Sequence, residues 1–264
     1  MDRTLHNALL GALQPDGHWW AYFLELEGHA APSICQYPEI KTSCCVMGGY
    51  RGLAMTPGWA VEQDGGGLRF NTCLVGRFDF PRLSVQVSGD FARTGRVEIS
   101  VLEGGDFNIR LRIPGWGNPV LAAVNGIPVE DEASSSGWLD IRRDWQPGDV
   151  IAADFGEGLR FVRAPGEQRA VAVLRGPLVL AFDGPLHEPA GKLIWLTGQQ
   201  DGPVDLDIPG RRLSLPLQAE NRPRSYWPKE LHTWRFPDFA SLASPGIAGE
   251  AAYRVWFPQP TLDR

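Results

Sequence analysis

The chain has 264 residues, a formal net charge of −6 and four cysteines. That length supplies an ample core without staples, and so few cysteines exclude a disulfide framework, which suits a reducing compartment and leads us to expect a cytoplasmic protein. Acids and bases are scattered without the basic stripe that nucleic acid requires, and no apolar run reaches the length of a membrane span, so neither partner is expected.

Leu5, Ala8, Leu9, Ala12 and Leu13 recur at helical spacing and stop at Pro15-Asp16-Gly17, which predicts a short amphipathic helix. The start has no small-residue cleavage site and reads as a poor signal peptide. His18 to Gly28 is aromatic and extended, with a loop from His29 to Pro38. A second helix is expected over Ser43 to Met55, stopped by Thr56-Pro57-Gly58.

This helix opens on KTSCCVMGGYR, in which Cys44 and Cys45 are adjacent. Neighbouring cysteines bridge each other only through a strained ring. Three readings stay open: two thiolates on one soft metal, a thiolate nucleophile beside a metal, or two small buried apolar side chains.

Beyond Gly67 the apolar pattern turns to period two. Phe107, Ile109, Leu111 and Ile113 alternate with Asn108, Arg110 and Arg112, and Val97, Ile99 and Val101 do the same, as on strands covered on one face. Asn125-Gly126 signals a type I′ hairpin. Further short strands fall at Gly137 to Arg142, Val150 to Phe155, Arg160 to Val162 and Ala170 to Leu174. Together they predict an antiparallel sandwich over roughly 68 to 165. A second β region runs from about 166 to the end, with a long loop from Arg222 to Ala248. The run Asp64 to Gly67 reads as a linker, Cys73, Trp138, Trp145 and Trp195 as packing residues, and Glu25 and Glu27 as a solvated strand face.

The order Asn7 to Gly17, Ser43 to Arg51, Arg112 to Trp116, Val124 to Gly126, Trp145 to Asp149 and Arg175 to Val179 resembles the C-terminal half of glycoside hydrolase family 127, the β-L-arabinofuranosidase-like enzymes. The resemblance implies a mainly β chain: residues 1–62 as the end of an (α/α)6 catalytic barrel, 63–165 as a β-sandwich, and 166–264 as a second β module. It implies retaining hydrolysis of terminal L-arabinofuranosides, with Cys44 as nucleophile and zinc ligand, Cys45 as a second zinc ligand, and carbohydrate as partner. Trp20 and Tyr22 would face the sugar.

The family completes its zinc site with a Glu-x-Cys element and takes an acid/base glutamate from the barrel, and this sequence contains no Glu-x-Cys. Local substitutes would be Cys35, His29 and Glu39. The expectation is therefore a chain incomplete on its own. A split enzyme, with a second chain supplying the barrel against Leu9, Leu13, Trp20 and Leu53, and a non-catalytic carbohydrate-binding or scaffold protein are the alternatives.

Overall fold

The alternating run around Ile109 becomes, in the computed structural model, the strand Gly105–Arg112, with Phe107, Ile109 and Leu111 buried. The structure describes residues 1–13, 17, 20–21, 27–29, 44–117, 120–129, 137–156, 158–163, 170–183, 194–197, 212–221, 232–237, 252–254 and 257–258, several of the later strands by backbone pairing alone. Contacts divide the chain into two units, Arg51–Gly158 on one hand and Met1–Tyr50 with Leu159–Arg264 on the other. Most described residues outside turns lie in strands of antiparallel sheets, as expected for a mainly β chain.

Arg51–Gly158 is a sandwich. One sheet runs Trp138–Trp145, Gly105–Arg112, Gly67–Phe70, Val61–Asp64, and the other runs Gly76–Phe80, Leu83–Asp90, Arg96–Glu103, Val150–Asp154, Leu121–Val124, Ile127–Pro128. Every pairing is antiparallel except that of Gly67–Phe70 with Gly105–Arg112. The inward residues of both sheets form one apolar cluster, with Phe70, Val85, Ile99, Ile109, Leu111, Trp145 and Ile151 fully buried. Each such side chain contributes about 1.5–3 kcal/mol by leaving water, so this cluster specifies which face of each strand turns in.

Two stretches that carry the family resemblance meet in this sandwich as one hydrogen-bonded knot. Asn125 and Gly126 both take positive φ, as a type I′ hairpin demands, and Val124 pairs with Ile127 across the turn. The Asn125 amide donates to Asp149 Oδ1 at 2.7 Å, while its Oδ1 accepts from the Val150 N–H at 2.9 Å. Asp149 Oδ2 accepts from the Gln146 N–H at 2.9 Å. That backbone donor, then the Asn125 amide, hold the Asp149 carboxyl below the usual carboxylate range. Trp145, fully buried, donates from Nε1 to the Phe107 carbonyl at 3.0 Å.

Four sequence expectations need correction. The helix runs Cys44–Ala60, straight through Thr56-Pro57-Gly58. Proline removes one N–H, but it falls in the last turn, where tertiary bonds take over: Asn71 and Thr72 N–H groups donate to the Ala60 carbonyl, and the Asn71 amide to that of Trp59. Strands begin at Val61 and not beyond Gly67, and Asp64 to Gly67 is the turn of a hairpin, with Gly65 and Gly66 at φ +57° and +88°. Leu159–Arg163 pairs with Ala170–Arg175 rather than with the sandwich. Within the stretch expected as one long loop, His232–Pro237 is a strand paired with Arg212–Asn221.

The other unit joins the chain's start to its later strands. A helical segment, π over Thr4–Leu9 and α over Leu10–Ala12, buries Leu5, Asn7, Gly11 and Ala12. Asn7 is the surprise, a buried amide that was not among the residues of the predicted apolar face, whereas Ala8, which was, is exposed. Its amide donates to the Arg3 and Pro177 carbonyls at 2.7 and 2.9 Å, and its oxygen accepts from the Val179 N–H at 2.7 Å. The segment beginning the chain is thereby tied to the strand Leu178–Leu180, again between two stretches that carry the resemblance.

Candidate functional site

Cys44 and Cys45 are the first two residues of the helix Cys44–Ala60. Residues here sit among the unpaired backbone N–H groups of a helix start. Cys44 is exposed and Cys45 half-buried, and their sulfurs are 4.0 Å apart, so the two are not joined in a disulfide. The third reading, two buried apolar side chains, is excluded by that exposure. Cys73 does take that role, buried in the sandwich core.

The helix start is held from one side by aromatic packing. Trp20, expected at the substrate rim, is 3% exposed, and its ring lies edge-on to Tyr50 with centroids 4.8 Å apart. The same ring covers Gly49, where an added Cβ would come within 2.2 Å of Trp20 Cδ2. Only glycine leaves room for the indole there. Trp20 Nε1 donates to the Leu9 carbonyl at 3.0 Å and Ala21 N–H to that of Ala12 at 2.7 Å, so the first helical segment, the indole and the cysteine helix form one packed unit. Tyr50, 43% exposed, donates its hydroxyl to the Gly17 carbonyl at 2.8 Å. The exposed aromatic surface on this stretch of helix is therefore that of Tyr50. Sequence reasoning passed over it, although it lies on the same predicted helix as Cys44.

Two thiolates bound to one tetrahedral zinc, with bonds of about 2.3 Å, lie about 3.8 Å apart. The 4.0 Å between Cys44 and Cys45 Sγ fits two corners of such a site. Among the described residues no group of three or more His, Cys, Asp or Glu side chains assembles. Cys35, Glu39, Tyr22 and Glu25 lie outside the described residues, and His29 is described only by the pairing of Glu27–His29 with Ala252–Arg254. No helix among the described residues is long and apolar enough to cross a membrane.

The helix beyond the cysteines carries further open apolar side chains, Met47, Met55 and Trp59, exposed by 68%, 44% and 41%. Leu9, Leu13 and Leu53, expected to be uncovered, are half-buried, and Trp20 is covered. None of the four expected residues is fully exposed; Trp20 is covered because its indole lies against Gly49.

Residues 75–156 match the model of the GH127 middle domain of β-L-arabinofuranosidase. Three solved structures share the fold. A GH127 β-L-arabinofuranosidase from Geobacillus stearothermophilus T6 is 20% identical, with a TM-score of 0.71 over 98% of this chain and 46% of that one. A glycoside hydrolase is 21% identical, with a TM-score of 0.71 over 98% and 47%. A GH127 β-arabinofuranosidase is 22% identical, with a TM-score of 0.75 over 98% and 45%. No curated protein matches the sequence. The chain thus spans a little under half the length of the solved structures it matches. Residues 75–156 of its sandwich are thus of the GH127 middle-domain type, and over 98% of the chain the fold is that of these solved glycoside hydrolases.

Proposed function

We propose that this chain is the part of a retaining, family 127-like glycosidase that carries the nucleophile, acting on terminal L-arabinofuranosides or related sugars in the cytoplasm. The observation that supports it is the pair Cys44 and Cys45, unbridged and with Cys44 exposed, at the start of a helix packed against Trp20 at Gly49. Cys44 Sγ attacks the anomeric carbon; the sulfur–carbon bond forms as the glycosidic carbon–oxygen bond breaks, and the departing oxygen takes a proton from a carboxylic acid. Water then attacks the same carbon, gives its proton to the carboxylate, and releases the thiolate. Cys44 and Cys45 would hold zinc, and the chemistry zinc supplies there is removal of the thiol proton. Tyr22 is assigned to the sugar, and Trp20 to holding the helix from beneath.

The carboxylic acid and the remaining zinc ligands come, on this reading, from a catalytic barrel outside these residues. Met47, Met55 and Trp59 give that barrel an apolar helix face to cover. In this partition the residues before Val61 complete the barrel, the strands from Val61 to Asp154 form the sandwich and those from Leu159 onward the second β module. An aryl β-L-arabinofuranoside tests the reading: the 264-residue chain alone gives no turnover, and turnover that disappears in Cys44→Ser would contradict the need for a barrel while upholding the nucleophile.

A further inference from the structure

A trough of about 660 Å³ crosses the outer face of the six-stranded sheet, lined by Ser88, Glu98, Ala152, Ala123, Pro128 and Leu121 among others. The register explains its shape. Ser88 pairs with Glu98, Glu98 with Ala152, Ala152 with Ala123 and Ala123 with Pro128, so one outward row crosses five strands with only small side chains over most of its length. The next row, Asp90, Arg96, Asp154 and Leu121, walls it. Across the sheet the surface changes character: hydroxyl and carboxylates at the Leu83–Asp90 side, alanine, proline and a leucine 67% exposed at the other.

The wall is electrically settled and the floor is not. Asp154 is paired with Arg96 at 2.8 Å and Asp90 with Arg93 at 3.2 Å. Glu98, on the floor, is exposed, and among the described residues it makes no ion pair or hydrogen bond. One uncompensated carboxylate is a strong acceptor for hydroxyl donors, and too little charge to hold a polycation. A ligand suited to the trough has a hydroxyl edge for Glu98 and Ser88 and a C–H face for Ala152, Ala123, Pro128 and Leu121, within the ~300–1,000 Å³ range of ligand sites. That is the chemistry of a short sugar chain.

We propose that this trough is a second carbohydrate-binding site, separate from the cysteine pair, which holds two to four sugar residues of a glycan. The choice of sugar rests on the glycosidase reading above; the site itself does not. No bond is made or broken there, so it raises the local concentration of glycan without needing a complete active site.

The test uses the full chain carrying Cys44→Ser and Cys45→Ser, titrated with arabino-oligosaccharides of two to four residues and followed by backbone amide NMR. The expected result is saturable shifts confined to Leu83–Asp90, Arg96–Glu103, Val150–Asp154 and Leu121–Val124, unchanged from the unsubstituted chain. Ala152→Trp, which fills the floor from an exposed position, abolishes them. Glu98→Gln, a surface change that leaves folding alone, weakens binding about tenfold. Shifts elsewhere, binding that survives both substitutions, no binding at about 10 mM sugar, or saturation by a lysine-rich peptide and not by the sugars would each overturn the proposal. Binding by the doubly substituted chain upholds the trough even if Cys44 proves to have no catalytic role.

Discussion

In the sandwich, Asn125 and Asp149 turn their polar atoms toward backbone groups and each other, and Trp145 hides its one donor against Phe107. At the start of the helix Cys44–Ala60, Cys44 is left exposed, with Cys45 beside it and no compact cluster of other ligating groups among the described residues. Both stretches carry the family resemblance. In the first, the residues are accounted for by folding alone: a turn, a carboxylate that caps it and an indole that fills the core. In the second, folding accounts for Gly49 and Trp20, while Cys44 stays exposed at the helix start. A stretch of sequence that the fold does not need is where chemistry should be sought.

That contrast can be broken by substitution. Trp145→Ala removes a fully buried indole and strands the Phe107 carbonyl, and should cost about 3–5 kcal/mol of sandwich stability in denaturant titration. Asn7→Ala leaves the buried Val179 N–H and Pro177 carbonyl without their partner, and a loss of about 2–4 kcal/mol is expected in the unit that holds them. Gly49→Ala drives a methyl into the Trp20 ring; repacking should cost about 1–3 kcal/mol and shift the tryptophan emission toward that of exposed indole. A Gly49→Ala variant with unchanged emission would show that the helix start is not held as described.

These same residues show what could be read from the sequence. Alternation exposed the strands around Ile99 and Ile109, and Asn125-Gly126 exposed its hairpin, because each signal is local and the core enforces it. Gly65-Gly66 passed for a linker because a hairpin is defined by what pairs across it, and Val61–Asp64 is too short to announce itself. Pro57 passed for a helix stop because the bonds that rescue the last turn come from Asn71 and Thr72, beyond the helix. The burial of Asn7 left no mark in the helical pattern, because the partners that satisfy it lie some 170 residues away. At the site, the cysteine pair and its adjacency were legible, and the covering of Trp20 was not, since it depends on Leu9 and Gly49 together.

Smaller effects sharpen the comparison. Asp149 has its folded pKa lowered, so the stability it adds is present above the unfolded carboxylate value and fades as pH falls through the lower folded value. Asp149→Asn should flatten that acid limb of the stability curve, measured by thermal melts across pH, whereas Cys44→Ser should leave the whole curve in place. Cys44→Ser should also change stability by less than about 0.5 kcal/mol, as expected for an exposed position.

The most direct test of the cysteine pair is alkylation of the full chain followed by peptide mass spectrometry, with zinc added or removed by chelator. If Cys44 and Cys45 form two corners of a metal site, zinc slows alkylation at both, chelator restores it, and Cys45→Ser abolishes the protection at Cys44. If zinc still protects Cys44 when Cys45 is serine, or protects Cys45 and leaves Cys44 as reactive as before, the two sulfurs do not act together and the account of this site is wrong.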